Sequence, residues 1–200
     1  MIGGLLLAAG SARRFGGDKL LACLPDDTPI AVAAASTLVA VLPRVVAVVR
    51  PGADELGAAL RECGTQVLVC PRAGEGMGTS LAWGVTATPD WTGWLVALAD
   101  MPFVKAATVT ALAAAVADGA AIAAPRYQDR RGHPVCFGAC YREALANLAG
   151  DRGGRDLLDA AGDRLYLFDC DDPGVLTDID TPADLAHLPG GTLRRHRDSN

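Results

Sequence analysis

Short, unbroken apolar runs alternate along most of this chain with stretches that place an apolar residue every third or fourth position. Residues 4–8, 45–49, 67–69, 94–99 and 120–124 are runs of the first kind, built from Leu, Val, Ile and Ala with one Trp and one Gly, and they predict five strands. Between them, 30–41, 53–62, 79–85 and 105–117 predict helices; Leu56 and Leu60, four apart, mark the inner face of the second. Strands that are apolar throughout, rather than at every second position, belong to a parallel sheet covered on both faces. The pattern therefore predicts an α/β, Rossmann-like, three-layer α/β/α architecture with a mostly parallel sheet.

The rhythm changes after Pro125. YQDRRG, 127–132, is a polar turn and 134–137 is extended again, which predicts a small antiparallel excursion. Helices over 141–148 and 155–161, a strand over 165–169 and a short helix from Pro182 to Leu188 complete the pattern. The closing PGGTLRRHRDSN has turn formers and charge but no apolar period, so 1–188 is expected to be one domain and 189–200 a flexible tail. No repeat and no linker interrupts this.

In an open α/β sheet, ligands bind beyond the carboxyl ends of the strands, and the unusual residues fall there. The first strand runs into LLLAAGSARRFGGDK, 5–19. Its glycines let bare backbone N–H groups approach an anion, and Arg14 and Lys19 add a guanidinium fork and a compact ammonium. That combination suits phosphate, although the stretch also reads as a charged surface turn. It is not GxGxxG, since the glycines fall at 10, 16 and 17. Nor is it the GxxxxGK[ST] loop, because Asp18 separates Gly17 from Lys19 and Leu20 replaces the hydroxyl residue.

GEGMGTS, 74–80, is a second glycine loop that opens a helix, where N–H groups suit an anion or the polar edge of a base; Met77 within it reads as a packing residue. LADMP, 98–102, puts Asp100 directly after an apolar strand, placed either to hold a hard cation such as Mg2+ or to cap the following helix. DIDTP, 178–182, offers Asp178 and Asp180 on one side if extended. One of them could complete a metal site with Asp100, or Asp180 or Thr181 could cap the helix that Pro182 opens. RRGHP, 130–134, carries His133, a candidate catalytic group, although a lone histidine in a turn is more commonly just solvated. GDRGGRDLL, 150–158, carries Arg152 and Arg155, either anion-binding or merely exposed.

Composition narrows the classes. The 200 residues carry a net charge of −5, which argues against a broad nucleic-acid surface. No apolar run reaches the about 20 residues of a membrane span, and MIGGLLLAAGSA lacks the basic leader of a signal peptide. The six cysteines are scattered without a CxxC pair and are expected to be buried, reduced thiols of a cytoplasmic protein.

In this order, LAAGSARRFGGDK (7–19), GEGMGTSLAWG (74–84), ADMP (99–102), RGHPVCF (131–137), GDRGGRDLL (150–158) and DIDTPADL (178–185) resemble the molybdenum cofactor cytidylyltransferase (MocA-like) family of the nucleotidyltransferase superfamily. The resemblance spans the chain to about Leu188 and implies the nucleotide-diphospho-sugar transferase type of fold. It implies transfer of CMP from CTP to the phosphate of molybdopterin, with release of pyrophosphate. Ala8, Ala9, Gly10 and Arg14 would hold the triphosphate, Lys19 would neutralise charge on the leaving pyrophosphate, and Gly78, Thr79 and Ser80 would meet the base. Arg14, Lys19 and Asp100 would be catalytic. Asp100 would hold Mg2+ (or Mn2+), with Asp180 as second ligand and Asp178 in reserve. His133, Arg152 and Arg155 would face the acceptor, and a molybdenum hydroxylase or its chaperone would receive the product.

Two departures from the family's LAAGxSxRMG are Ala12 and Phe15; neither removes a charge. The guanylyl branch reads LAGG where this chain has a methyl group at Ala9, which favours CTP over GTP. Guanylyl transfer, transfer to a sugar phosphate, and non-catalytic delivery of the cofactor remain the alternatives. A dinucleotide-binding oxidoreductase is disfavoured, because GxGxxG is absent and Arg50 closes the second strand where an acid is wanted.

Overall fold

The computed structural model describes residues 1–10, 15 and 18–186. Eight strands form one sheet: β1 (Ile2–Ala8), β2 (Val45–Val49), β3 (Gln66–Val69), β4 (Gly93–Leu98), β5 (Ile122–Tyr127), β6 (Arg130–Arg131), β7 (Val135–Gly138) and β8 (Leu165–Asp169). The order across the sheet is β3-β2-β1-β4-β7-β5-β6, with β8 also paired to β5. β1 lies centrally, parallel to both β2 and β4, with Leu5 opposite Val46 and Val96. The mostly parallel mixed sheet flanked by helices is the architecture the apolar pattern predicts.

The antiparallel excursion is placed more deeply than a hairpin would be. β7 is inserted between β4 and β5, antiparallel to both, with Trp94 opposite Phe137 and Ala123 opposite Cys136. β5 extends to Tyr127, three residues past the expected end, and pairs with the two-residue β6.

The helices among the described residues are α1 (Ile30–Val39), α2 (Asp54–Glu62), α3 (Met77–Thr86), α4 (Ala106–Ala117), α5 (Arg142–Ala146), α6 (Arg155–Asp159) and α7 (Pro182–Ala186). Side chains alternate across a strand, so Leu6, Ala8, Ala47 and Leu95 face a core closed by α1, α2 and α4. Leu5, Leu7, Val48 and Val96 face a second core closed by α3, α5 and α6. Leu5 and Leu6 are both fully buried, one on each side. α3 crosses close over β1, and a Cβ at Gly84 would overlap the Leu5 methyl groups.

Several boundaries differ from expectation. α3 begins at Met77, two residues before the expected start at Thr79, so Gly78 joins Thr79 and Ser80 within its first turn. The helix expected over 141–148 is shorter, because Ala139–Tyr141 form a 3-10 turn first. Residues 187–200, which include the expected tail, lie outside the described residues. The cysteines are all free, but only Cys70 and Cys136 are buried; Cys23 and Cys140 are exposed. Burial of the Cys136 thiol on β7 pushes its pKa up to about 12, so it is inert there. No helix among the described residues is long and apolar enough to cross a membrane.

Candidate active site

A cleft of about 650 Å³ opens at the carboxyl ends of β1 to β4. β1 supplies Leu7, with Ala9 and Gly10 just beyond it; Arg50 follows β2; Ala73, Gly74, Gly76 and Met77 follow β3; Leu98 ends β4 and Asp100 follows it. Parallel strands deliver their carboxyl ends to one edge, and for that reason loops far apart in sequence meet here.

The charged centre of the cleft is a three-residue cluster. Lys19 Nζ donates to Asp100 Oδ2 at 2.9 Å and to Asp180 Oδ1 at 2.8 Å. The lysine side chain is only 10% exposed and heads a 3-10 turn, Lys19–Leu21. Burial alone would lower its pKa, but the hydrogen bonds and charges of Asp180 and Asp100 outweigh that and hold it above the usual lysine value. The ammonium therefore keeps its proton.

Asp100 and Asp180 are brought together by backbone as well. Ile179 N–H donates to the Asp100 carbonyl at 2.9 Å, with Ile179 buried between Asp178 and Asp180. The segment before it is anchored by Asp172, which is 1% exposed. Its Oδ2 accepts from Lys105 N–H and the Thr108 hydroxyl, at 2.9 and 2.6 Å, and its Oδ1 accepts from Gly174 N–H at 3.0 Å. One buried carboxylate thus ties the start of α4 to 172–174 and pins that segment beside Phe103, whose carbonyl a Cβ at Gly174 would strike. Beyond the site, Asp184 accepts from the N–H groups of Asp180 and Thr181 and caps the start of α7.

The other predicted residues are distributed as follows. Ala9 and Gly10 line the cleft, and Ala8 ends β1 beneath it. Arg14 lies outside the described residues. Ser80 lines the cleft, whereas Gly78 N–H donates to the Gly150 carbonyl at 2.7 Å and the Thr79 hydroxyl accepts from Gly150 N–H at 3.3 Å. Those two residues tie the 150 loop to α3. Met77, expected to pack, is 45% exposed and lines the cleft.

Asp178 is exposed and makes no ion pair among the described residues; its charge acts on His133. His133 does not line the cleft. Its Nδ1 is buried without a hydrogen-bond partner, and burial lowers its pKa, with Arg131 adding to the effect and Asp100 and Asp178 opposing it. Arg152 and Arg155 are exposed and pair along α6 with Asp156 at 2.8 Å and Asp159 at 4.0 Å; neither lines the cleft.

Two charged lining residues were not singled out as site residues from the sequence. Arg50 donates to the Gly10 carbonyl at 3.4 Å and to Asp18 at 3.3 Å, so it spans the two ends of the glycine loop. Asp151 stands directly over Gly76, whose φ of 127° and missing Cβ permit the approach.

No group of three or more His, Cys, Asp or Glu among the described residues could enclose a metal ion. The donor chemistry nevertheless fits a hard divalent cation. Asp100 and Asp180 aim oxygens at one point, and such ions are commonly held by one or two carboxylates with substrate phosphates and water completing the shell.

A parallel sheet whose carboxyl edge carries a glycine loop, a buried lysine and paired carboxylates defines a nucleotide-handling α/β protein. The chain belongs to the MobA-like NTP transferase domain family, which matches residues 4–165, and is by that membership a nucleotidyltransferase; the family resemblance in the ordered motifs is borne out. It is 32% identical over 194 residues to the nicotine blue oxidoreductase of Paenarthrobacter nicotinovorans, a match covering 92% of this chain and 95% of that one. The crystal structure of Rv0371c from Mycobacterium tuberculosis H37Rv superposes with a TM-score of 0.80 at 28% identity, covering 92% of this chain and 94% of the other. A further structure of Rv0371c is a complex with manganese, with a TM-score of 0.70 at 26% identity over 84% and 87% of the two chains. A nucleotidyl transferase from Methanothermobacter thermautotroptrophicus superposes at 0.78 with 25% identity, over 92% and 94%.

Proposed function

We propose that this nucleotidyltransferase moves CMP from CTP onto the terminal phosphate of molybdopterin and releases pyrophosphate. The observation that carries the reading is the Lys19–Asp100–Asp180 cluster at the carboxyl ends of β1 and β4, facing the cleft beside Ala9 and Gly10. A phosphate oxygen of the acceptor forms a bond to the α-phosphorus of CTP, and the bond from that phosphorus to the bridging oxygen of the β-phosphate breaks. Such a transfer asks for alignment and for charge to oppose the phosphates, more than for a covalent partner.

The chain's own groups supply both. The backbone at Ala8 to Gly10 and Arg14 hold the triphosphate. Lys19 places a permanent positive charge where pyrophosphate departs, and Ser80 offers its hydroxyl to the base. Asp100 and Asp180 would hold Mg2+, which supplies further charge neutralisation at the phosphates when bound. The methyl group of Ala9, on the cleft wall, narrows the room for a purine. The free thiols fit a reducing, cytoplasmic setting, and a molybdenum hydroxylase or its chaperone would take the product.

The test is pyrophosphate release from purified protein, Mg2+ and molybdenum-loaded molybdopterin, with CTP, GTP, ATP and UTP compared. Release with CTP alone is expected. Release with GTP would discard the Ala9 argument, and silence with all four from folded, CTP-binding protein would discard the acceptor.

A second reading is favoured by one observation, the 32% identity to a protein named nicotine blue oxidoreductase. In it the same cleft binds nicotine blue, which exchanges electrons with a redox partner supplied in the assay. A change in the absorbance of nicotine blue that needs both the protein and an added reductant would support that reading over nucleotidyl transfer.

A further inference from the structure

Lys19 stands where the preceding reading puts a cation of another kind. Its Nζ lies 2.9 Å from one Asp100 oxygen and 2.8 Å from one Asp180 oxygen. These carboxylates belong to segments 80 residues apart in the chain, and they are the pair whose oxygens fit a hard divalent ion. An ion bound to both oxygens at once would fall in the volume that the ammonium fills. The metal and the lysine therefore exclude each other from this position.

The surroundings allow an exchange. Lys19 heads a short 3-10 turn directly after the glycine loop, and its four-carbon stem ends beside the cleft that Ala9, Gly10 and Ser80 line. Two carboxylates facing one another without a cation between them would repel, so something positive is needed there before any metal arrives. One ammonium leaves this trio with a net charge of −1. A divalent ion in its place neutralises the pair and frees the ammonium for phosphate oxygens.

We propose that Lys19 is a removable counter-ion: it holds Asp100 and Asp180 together in the metal-free protein and is exchanged for the divalent metal, its ammonium then turning to the phosphates of the incoming nucleotide. The last clause rests on the nucleotidyltransferase reading; the exclusion between Lys19 and metal does not. Metal alone is then a poor ligand for the protein, because it must displace a lysine that has nowhere comparable to go. Metal together with a triphosphate is a good one, because the displaced charge acquires new partners.

The exclusion can be measured without nucleotide or turnover, from the electron paramagnetic resonance signal of unbound Mn2+ in titrations of wild type, Lys19→Met and Lys19→Arg. The methionine variant is expected to bind Mn2+ at least tenfold more tightly than wild type. The arginine variant keeps the charge and should stay weak. Adding Asp100→Asn to Lys19→Met should abolish the gain. Circular dichroism melts establish that each variant is folded, and Lys19→Gln replaces the methionine variant should that one not fold. Equal or weaker Mn2+ binding without the lysine charge overturns the proposal, as does a gain that survives the loss of Asp100. Absence of pyrophosphate release would discard the molybdopterin acceptor while leaving this result as it stands.

Discussion

Replacing Asp172 by asparagine tests how the two carboxylate-bearing segments are held in register. The wild-type carboxylate accepts three hydrogen bonds with essentially no access to water: two on Oδ2, from Lys105 N–H and the Thr108 hydroxyl, and one on Oδ1, from Gly174 N–H. Asparagine keeps the shape but offers one oxygen. In one amide orientation its NH2 group faces Gly174 N–H, and in the other it faces Lys105 N–H. The Thr108 hydroxyl can rotate; a backbone N–H cannot. One buried donor is thus left without a partner, at a cost of about 1–3 kcal/mol, and the surviving bonds lose their charge assistance. The sum is about 3 kcal/mol, which for a chain of this size lowers Tm by about 6–12 °C. Thermal melts followed by circular dichroism, with urea midpoints as a second reading, measure it. A fall of less than 2 °C would mean that the three bonds contribute nothing net, and would remove the physical account of why residues 172–180 sit against the loop after β4.

The remaining predictions concern the cleft and its rim. Asp100→Asn should cut turnover by at least about a hundredfold, the scale of losing a preorganised charge at the reacting group, with the circular dichroism spectrum unchanged; retained turnover would remove its role. Ala9→Gly should improve the use of GTP relative to CTP by about tenfold, the low end of what one methylene discriminates, read as the ratio of kcat/KM values. His133 has its pKa lowered by burial, so the unfolded chain binds the proton more readily. Its contribution to stability is complete above the ordinary histidine pKa near 6.5 and declines as pH falls below that value. His133→Gln should flatten the pH dependence of the urea midpoint in that window, and an unchanged slope would assign it elsewhere. Lys19 carries the opposite sign: its raised pKa makes its stabilisation complete at neutral pH and lost only as pH rises beyond the ordinary lysine range.

The strands and most helices were legible because their signal is local. Residues 45–49 and 165–169 form strands over the same spans that their apolar runs mark. β7 was legible as an extended stretch but not as the strand that separates β4 from β5, since four residues carry no statement of which edge they join. At the site, Lys19 stood out beside a glycine loop, Asp100 at a strand end and Asp180 in a paired-carboxylate motif before a helix, while their convergence on one point depends on sheet order. Asp172 was illegible for a related reason. DCDDPG reads as a polar loop, and nothing in it distinguishes the one aspartate that tertiary packing takes out of water. Arg50 was noticed only as the wrong residue for a dinucleotide site, because its partners Gly10 and Asp18 lie 40 and 32 positions away.

The insertion of β7 also bears on how the protein leaves the ribosome. β3, β2, β1 and β4 can pair in that order once residue 98 has emerged. The outer edge of β4 then waits for a partner that begins about forty residues later, with Trp94 reaching Phe137 and Val96 reaching Val135. At about 5–20 residues per second, that edge stays open for roughly 2–8 s of synthesis. An unpaired apolar strand edge is a template for pairing with other chains. Nascent chains halted once residue 120 has emerged should therefore engage chaperones or aggregate, whereas chains from which residue 138 has emerged have the strand that closes the gap.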